Sequence, residues 1–292
     1  MSIRLQMLQV ARRGAAALGE SAGLVRVFLQ SQLTESGAGK DRDGREDLYY
    51  TIFALAGWNA LDLEIPQERV RSYLSSFGDG RDLDFVHLGA LARCWAVVGG
   101  ASPELIEALA LGLESFRSKD GAYEAQRGAE NGHAYGCFVA LGAYQDLGRL
   151  LPQPLRMVQA LKFLETPDGA WGNAAGLQKG STNATAAAVT LLHQLELPVA
   201  PRVGDWLMQR LHPEGGFLAM PDAPIPDLLS TATSLHALAC LEDRLPGRAR
   251  EATLDFLDTL WSAEGGFHGH WADDHLDAEY TFYGLLALGH LQ

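Results

Sequence analysis

With 292 residues and a formal charge of −13 at pH 7, the chain lacks the basic footprint that phosphate backbones require, which argues against nucleic acid as a partner. Hydrophobic residues make up 47% and charged residues 20%, the balance of a chain that buries a core. No apolar run approaches the roughly 18 residues of a membrane span, so an integral membrane protein is not expected. The first segment carries Arg4, Arg12 and Arg13, but its Ala15–Leu18 run is too short for a signal-peptide core. Three cysteines, Cys94, Cys137 and Cys240, stand far apart without metal-type spacing. The expectation is a reduced, cytoplasmic protein.

From about Phe28 to Leu291 the chain repeats itself, and such repetition decides the fold. One element is a turn containing glycine, at Asp43-Gly44, Asp79-Gly80, Asp120-Gly121, Asp168-Gly169, Gly215-Gly216 and Gly265-Gly266. After each turn comes a small, apolar helical segment: Thr51–Leu61, Leu88–Val98, Ala134–Tyr144, Thr185–Leu195, Thr231–Leu241 and Thr281–Leu291. Before the turns stand amphipathic stretches with helical spacing, such as Ile106–Phe116, Met157–Leu164, Val203–Leu211 and Thr253–Trp261. Six helical hairpins therefore fill one domain spanning residues 1–292. Helices rich in Ala, Leu and Gly suit an inner ring, and the amphipathic ones an outer ring with one wet face. The last segment is apolar nearly all round, which favours a closed ring over an open solenoid with polar caps. No strand is predicted.

Aligning the inner helices exposes a column of Asp47, Asp84, Glu130, Ser181, Asp227 and Asp277, acidic in five of six repeats. Three residues on stand Tyr50, His87, His133, Ala184, Ser230 and Tyr280. Helix capping explains such a column without any function, because Asp and Ser satisfy orphan N–H groups and suit the helix dipole. The functional alternative is a ring of carboxylates and histidines at one mouth of the barrel, able to hold a cation or transfer protons. On that reading Asp84, His87, His133 and Tyr280 are candidate catalytic residues. Arg127, beside His133, is a candidate for binding an anionic head group. Aromatic residues on the inner helices, among them Tyr50, Tyr135, Phe282 and Tyr283, would line an apolar funnel. His193, His236 and His290 lie near helix C-termini and read as structural.

The segment Gly265-Gly-Phe-His-Gly-His, followed by Asp277-Ala-Glu-Tyr-Thr-Phe-Tyr-Gly-Leu-Leu-Ala-Leu, resembles a repeat of the protein prenyltransferase β-subunits. That family shares an all-α, α/α-toroid fold with squalene and terpene cyclases. Gly215-Gly-Phe and the stretch from Asp227 to Leu238 fit the same pattern. The resemblance implies a closed toroid, an isoprenoid or isoprenoid diphosphate as ligand, and a helical-repeat α-subunit-like partner. It also implies a zinc held by Asp-x-Cys at one helix start and His at a later one. Asp227 matches the Asp, but Leu229 stands in place of the Cys and Tyr280 in place of the His, and the usual basic turn is missing. A rearranged zinc or magnesium site would use Asp227, His275 and Asp277. Asp273-Asp274-His275-Leu276-Asp277 also spells the DDxxD string of magnesium-dependent isoprenoid enzymes of another fold. The Asp-x-Asp-Asp acid of cyclases does not occur; Asp82-Leu83-Asp84 comes near it. Three readings stand together: a prenyltransferase-like enzyme, which is preferred; a cyclase-like enzyme using a carboxylic acid; and a silent toroid that binds a lipid or protein.

Overall fold

The structure is a computed structural model describing residues 1–292. Helix α1 (Ile3–Ala17) is followed by a short 3₁₀ turn and six helical hairpins. Their outer helices are α2 (Ala22–Ser31), α4 (Gln67–Ser75), α6 (Pro103–Glu114), α8 (Pro154–Lys162), α10 (Arg202–Met208) and α12 (Gly247–Leu260). The inner partners are α3 (Leu48–Ala60), α5 (Phe85–Val98), α7 (Ala134–Asp146), α9 (Thr182–Gln194), α11 (Leu228–Cys240) and α13 (Ala278–His290). The hairpins thus begin at Ala22, six residues before the repeat is legible.

Each inner helix packs on the next, and α13 packs back on α3, so the inner ring is closed. Inner helices are apolar all round because both faces are covered: α9, for example, buries every residue from Ala184 to Leu192. Outer helices bury a single stripe, as α8 does with Met157, Ala160 and Leu161.

The glycine turns join neighbouring units. Gly215 has φ 88°, and a Cβ there would lie 1.9 Å from the carbonyl oxygen of Ala252 on α12. Gly265, with φ 96°, lies against α2 in the same way, where a Cβ would fall 2.2 Å from Leu24 O. Only glycine tolerates both the left-handed backbone and the approach. The turn of the sixth hairpin therefore packs on the outer helix of the first, and the outer layer closes as well.

In the last three hairpins a threonine one turn into the inner helix fastens the aromatic that follows the turn. Thr185, Thr231 and Thr281 accept hydrogen bonds through Oγ1 from the backbone N–H of Trp171, Phe217 and Phe267, at 3.1, 2.9 and 3.3 Å. Those aromatics are buried between the layers. The one pair of strands, Gly39–Lys40 with Glu46–Asp47, is an antiparallel ladder two residues long in the first turn. It was not expected from the sequence, and its length explains why.

Helix α1 lies outside the repeats and closes the C-terminal end of the ring. Its backbone N–H at Ile3 donates to Gln145 Oε1 at the end of α7 (2.9 Å), and Arg12 Nε donates to Asn59 O at the end of α3 (3.2 Å). Along α13 the two backbones nearly touch: a Cβ at Gly14 would lie 1.9 Å from Leu285 O, and one at Gly289 the same distance from Val10 O. Beneath the ring, Arg4 reaches the fully buried carboxylate of Asp146 at 2.9 Å, and Arg93 reaches it at 3.4 Å.

Candidate active site

Six residues cap the inner helices, and each accepts a hydrogen bond from the backbone N–H three residues on: Asp47, Asp84, His133, Ser181, Asp227 and Asp277. Capping therefore accounts for the column found in the sequence at every repeat but the third. There the register shifts: His133 caps α7 through Nδ1 (3.0 Å), while Glu130 stays in the preceding loop and pairs with Lys119. A histidine caps less often than Asp or Ser, which hid it.

The rim residues are engaged with one another. His87 bridges two caps, with Nδ1 2.7 Å from Asp84 Oδ2 and Nε2 3.3 Å from Asp47 Oδ2. Burial opposes protonation of His87, but the two carboxylates prevail and raise its pKa. Arg42 donates to Asp277 Oδ2 (2.8 Å) and Asp273 Oδ2 (3.1 Å), and its guanidinium lies over the Tyr280 ring. The acidic string is thus held by an arginine of the first repeat. Burial pushes the carboxyls of Asp227 and Asp277 up, partly offset by the N–H groups they cap. Asp227, His275 and Asp277 are not brought together, and no three His, Cys, Asp or Glu side chains form a cluster suited to a metal. His275 is exposed, 3.5 Å from Asp273. The residues present do not fit the zinc or magnesium expected from the resemblance. Arg127 also departs from expectation: it stacks on Phe116 and donates to Ser115 Oγ on the outer layer, away from the lumen. Tyr50 stays at the rim, edge-on to Tyr49 at 5.6 Å.

The lumen is lined from a different column. Two residues after each cap stand Tyr49, Val86, Tyr135, Asn183, Leu229 and Glu279, and all six line the interior. The wall continues four residues on, with Phe53, Ala90, Val139, Ala187, Thr233 and Tyr283, and then at Arg93, Thr190 and His236. Steps of four and three residues keep side chains on one helix face. Tyr135 is 39% exposed, so the lumen opens at the helix N-termini, opposite α1. Met7 of α1 reaches inside and, with Tyr49, Tyr135, Phe138 and Tyr283, borders both lobes of the cavity, of about 170 and 70 Å³. Of the candidate ligand-binding aromatics, Tyr135, Phe282 and Tyr283 do line this interior.

The larger lobe contains one carboxyl group. Glu279 Oε1 accepts a hydrogen bond from Tyr49 Oη at 2.5 Å. Burial pushes its pKa up to about 7, against the opposing pull of that bond. No other residue on the lumen wall combines a labile acidic proton with apolar surroundings. The signal for Glu279 in the sequence is a lone acid in an otherwise apolar helix, two residues after the cap.

Capping is tested at Asp227. Asn caps about as well as Asp, and burial already disfavours the ionised form, so Asp227→Asn is expected to shift Tm by less than about 2 °C. Asp277→Asn should melt lower than Asp227→Asn, because it also releases Arg42. Thermal melting of the two variants side by side checks both.

Residues 185–291 match the prenyltransferase alpha-alpha toroid domain family. Among solved structures, the type II terpene cyclase MstE from Scytonema superposes with a TM-score of 0.63 at 13% identity, covering 95% of this chain and 97% of that one. A variant of the same cyclase in complex with its substrate, geranylgeranyl dihydroxybenzoate, gives 0.56 at 14% identity over 99% and 97%. A protein from Actinoplanes gives 0.56 at 15% identity over 98% of each chain. None of the curated protein sequences matches. The chain has an all-α, α/α-toroid fold like that of these structures.

Proposed function

We propose that this protein is a terpene-cyclase-like enzyme in which Glu279 starts cyclisation of an isoprenoid by protonating a carbon–carbon double bond. The carrying observation is Glu279 itself, a buried carboxyl group with a raised pKa in an aromatic lumen. A general acid works best when its pKa lies near the operating pH, and burial supplies that match here. The acid is not the Asp-x-Asp-Asp string of cyclases, which this sequence lacks; Glu279 would take over its task.

In the proposed step the Glu279 O–H bond breaks and its proton joins the terminal alkene carbon, leaving a tertiary carbocation. The π electrons of the next double bond then form a ring-closing C–C bond and pass the charge along the chain. Loss of a proton from a neighbouring carbon ends the sequence, so substrate and product are isomers. Faces of Tyr49, Phe53, Tyr135, Phe138 and Tyr283 would stabilise the travelling charge by cation–π attraction. Closure of the floor by α1 favours exclusion of water, which would otherwise quench the cation.

Transfer of a prenyl group is the less supported reading. Leu229, which the resemblance sets in place of the zinc-binding Cys, lines the lumen, and no lysine or arginine lines the larger lobe to hold a diphosphate. The test is incubation with prenylated alcohols and phenols in D₂O, followed by mass spectrometry. A cyclised isomer carrying one deuterium is expected; recovery of every substrate unchanged would overturn the proposal.

A further inference from the structure

Deep in the larger lobe lies a polar group of residues that the protonation step does not use. Thr233 Oγ1 lies 2.9 Å from Asn183 Oδ1 and 2.8 Å from Leu229 O, so its one proton is shared between two acceptors, and the side chain of Asn183 makes no other hydrogen bond in the protein. The ring of His236 lines the same lobe and is only 6% exposed. Its Nδ1 lies 3.1 Å from His290 Nε2, whereas its Nε2 is buried with no partner at all. Buried polar atoms are rarely left unpaired, so an orphan nitrogen in a ring that borders the cavity points to a bound group.

We infer that His236, Thr233 and Asn183 form a subsite for an uncharged hydrogen-bonding group, a hydroxyl above all, on the isoprenoid ligand. This rests on the proposed function and names the kind of ligand it takes. The histidine pair explains the preference for a hydroxyl. If His236 donates from Nδ1 to His290, its Nε2 is an acceptor; if His290 donates, His236 carries its proton on Nε2 and is a donor. A hydroxyl satisfies either tautomer, because it both donates and accepts. Burial holds both histidines neutral, His236 down at about 4 and His290 at about 3, so neither supplies positive charge for an anion. The arginines of the lumen, Arg4 and Arg93, border the other lobe and are committed to Asp146.

The experiment compares three C20 probes: geranylgeraniol, the matching hydrocarbon without the hydroxyl, and geranylgeranyl diphosphate with magnesium. Binding is titrated in the full-length Glu279→Gln protein, which on the proposed mechanism does not consume the ligand. The alcohol should bind at least tenfold more tightly than either alternative. Adding His236→Phe or the nearly isosteric Thr233→Val should reduce that advantage over the hydrocarbon to less than threefold. Thr233→Val keeps the test decisive if the histidine variant does not fold. Tightest binding of the diphosphate, equal binding of alcohol and hydrocarbon, or an advantage that survives Thr233→Val would overturn the subsite and leave the acid-initiated reading standing. Failure of all three probes to bind would overturn that reading, and the subsite with it.

Discussion

Glu279→Gln is expected to abolish turnover and, at the same time, to make the protein more stable above pH 7. Glutamine keeps the shape of the side chain and still accepts the Tyr49 hydrogen bond, but it carries no acidic proton. Removal of a general acid costs about 10²–10⁴ in rate, and with no second carboxyl on the lumen wall the upper end of that range applies. The stability effect follows from linkage. The folded-state pKa, about 7, lies above the ordinary value of 4.5. The folded protein therefore prefers the protonated form, and the stability this form confers is complete below pH 4.5 and lost as pH rises through 7. Above that, the native protein carries an ionised carboxylate in an apolar lumen, at a cost on the order of 3 kcal/mol. The glutamine variant escapes this cost, so its melting temperature should exceed the native one at pH 8 and match it near pH 4. Native turnover should fall over the same interval as the proton is lost. A variant that retains native activity, or a stability difference that does not change with pH, would remove Glu279 from the mechanism.

The second large effect is expected at Asp146. Its side chain is fully buried and faces two guanidinium groups, Arg4 of α1 and Arg93 of α5, which are only 16% and 24% exposed. Asp146→Ala leaves two largely buried cations without a counter-charge, a change that costs about 3–5 kcal/mol. At this chain length that corresponds to a loss of roughly 6–20 °C in Tm. Because Arg4 is the bond's partner on α1, hydrogen exchange should rise first in α1. The control is Glu107→Ala, which breaks a pair of exposed partners, Arg149 and Glu107. Such pairs contribute only about 0–1 kcal/mol. Equal effects of the two substitutions would show that Asp146 is not an anchor of the floor.

Much of this fold was legible because six copies of one pattern reinforce one another. Gly turns, apolar inner helices and capping residues recur at near-regular spacing, so an error in one unit is corrected by the rest. The site was less legible, for a reason of angle. Capping residues and those three positions later share one helix edge and stand out by charge, whereas the lumen is faced by residues two positions after the cap. Glu279 lies between Asp277 and Tyr280 in sequence, and the more regular columns on either side mask it. His236 was masked differently: a helix C-terminus favours a charged histidine, but burial beside His290 outweighs the dipole and keeps it neutral. Arg42 could not be placed either, since its partners Asp273 and Asp277 belong to the far end of the chain and meet it only when the ring closes. Helix α1 has no copy elsewhere in the sequence, so no repeat announced its role.

The contact between α1 and α13 also sets an order of events for a nascent chain. Gly14 emerges from the ribosome long before Leu285, the residue whose carbonyl it must meet. At typical synthesis rates of about 5–20 residues per second, that interval is on the order of tens of seconds. During it α1 lacks its main partner, α13, and the five earlier hairpins would leave an apolar edge uncovered on α11. Contacts of such high sequence separation are slow to form. The arc is therefore the stage at which a chaperone, or the absence of one, would decide the yield of folded protein.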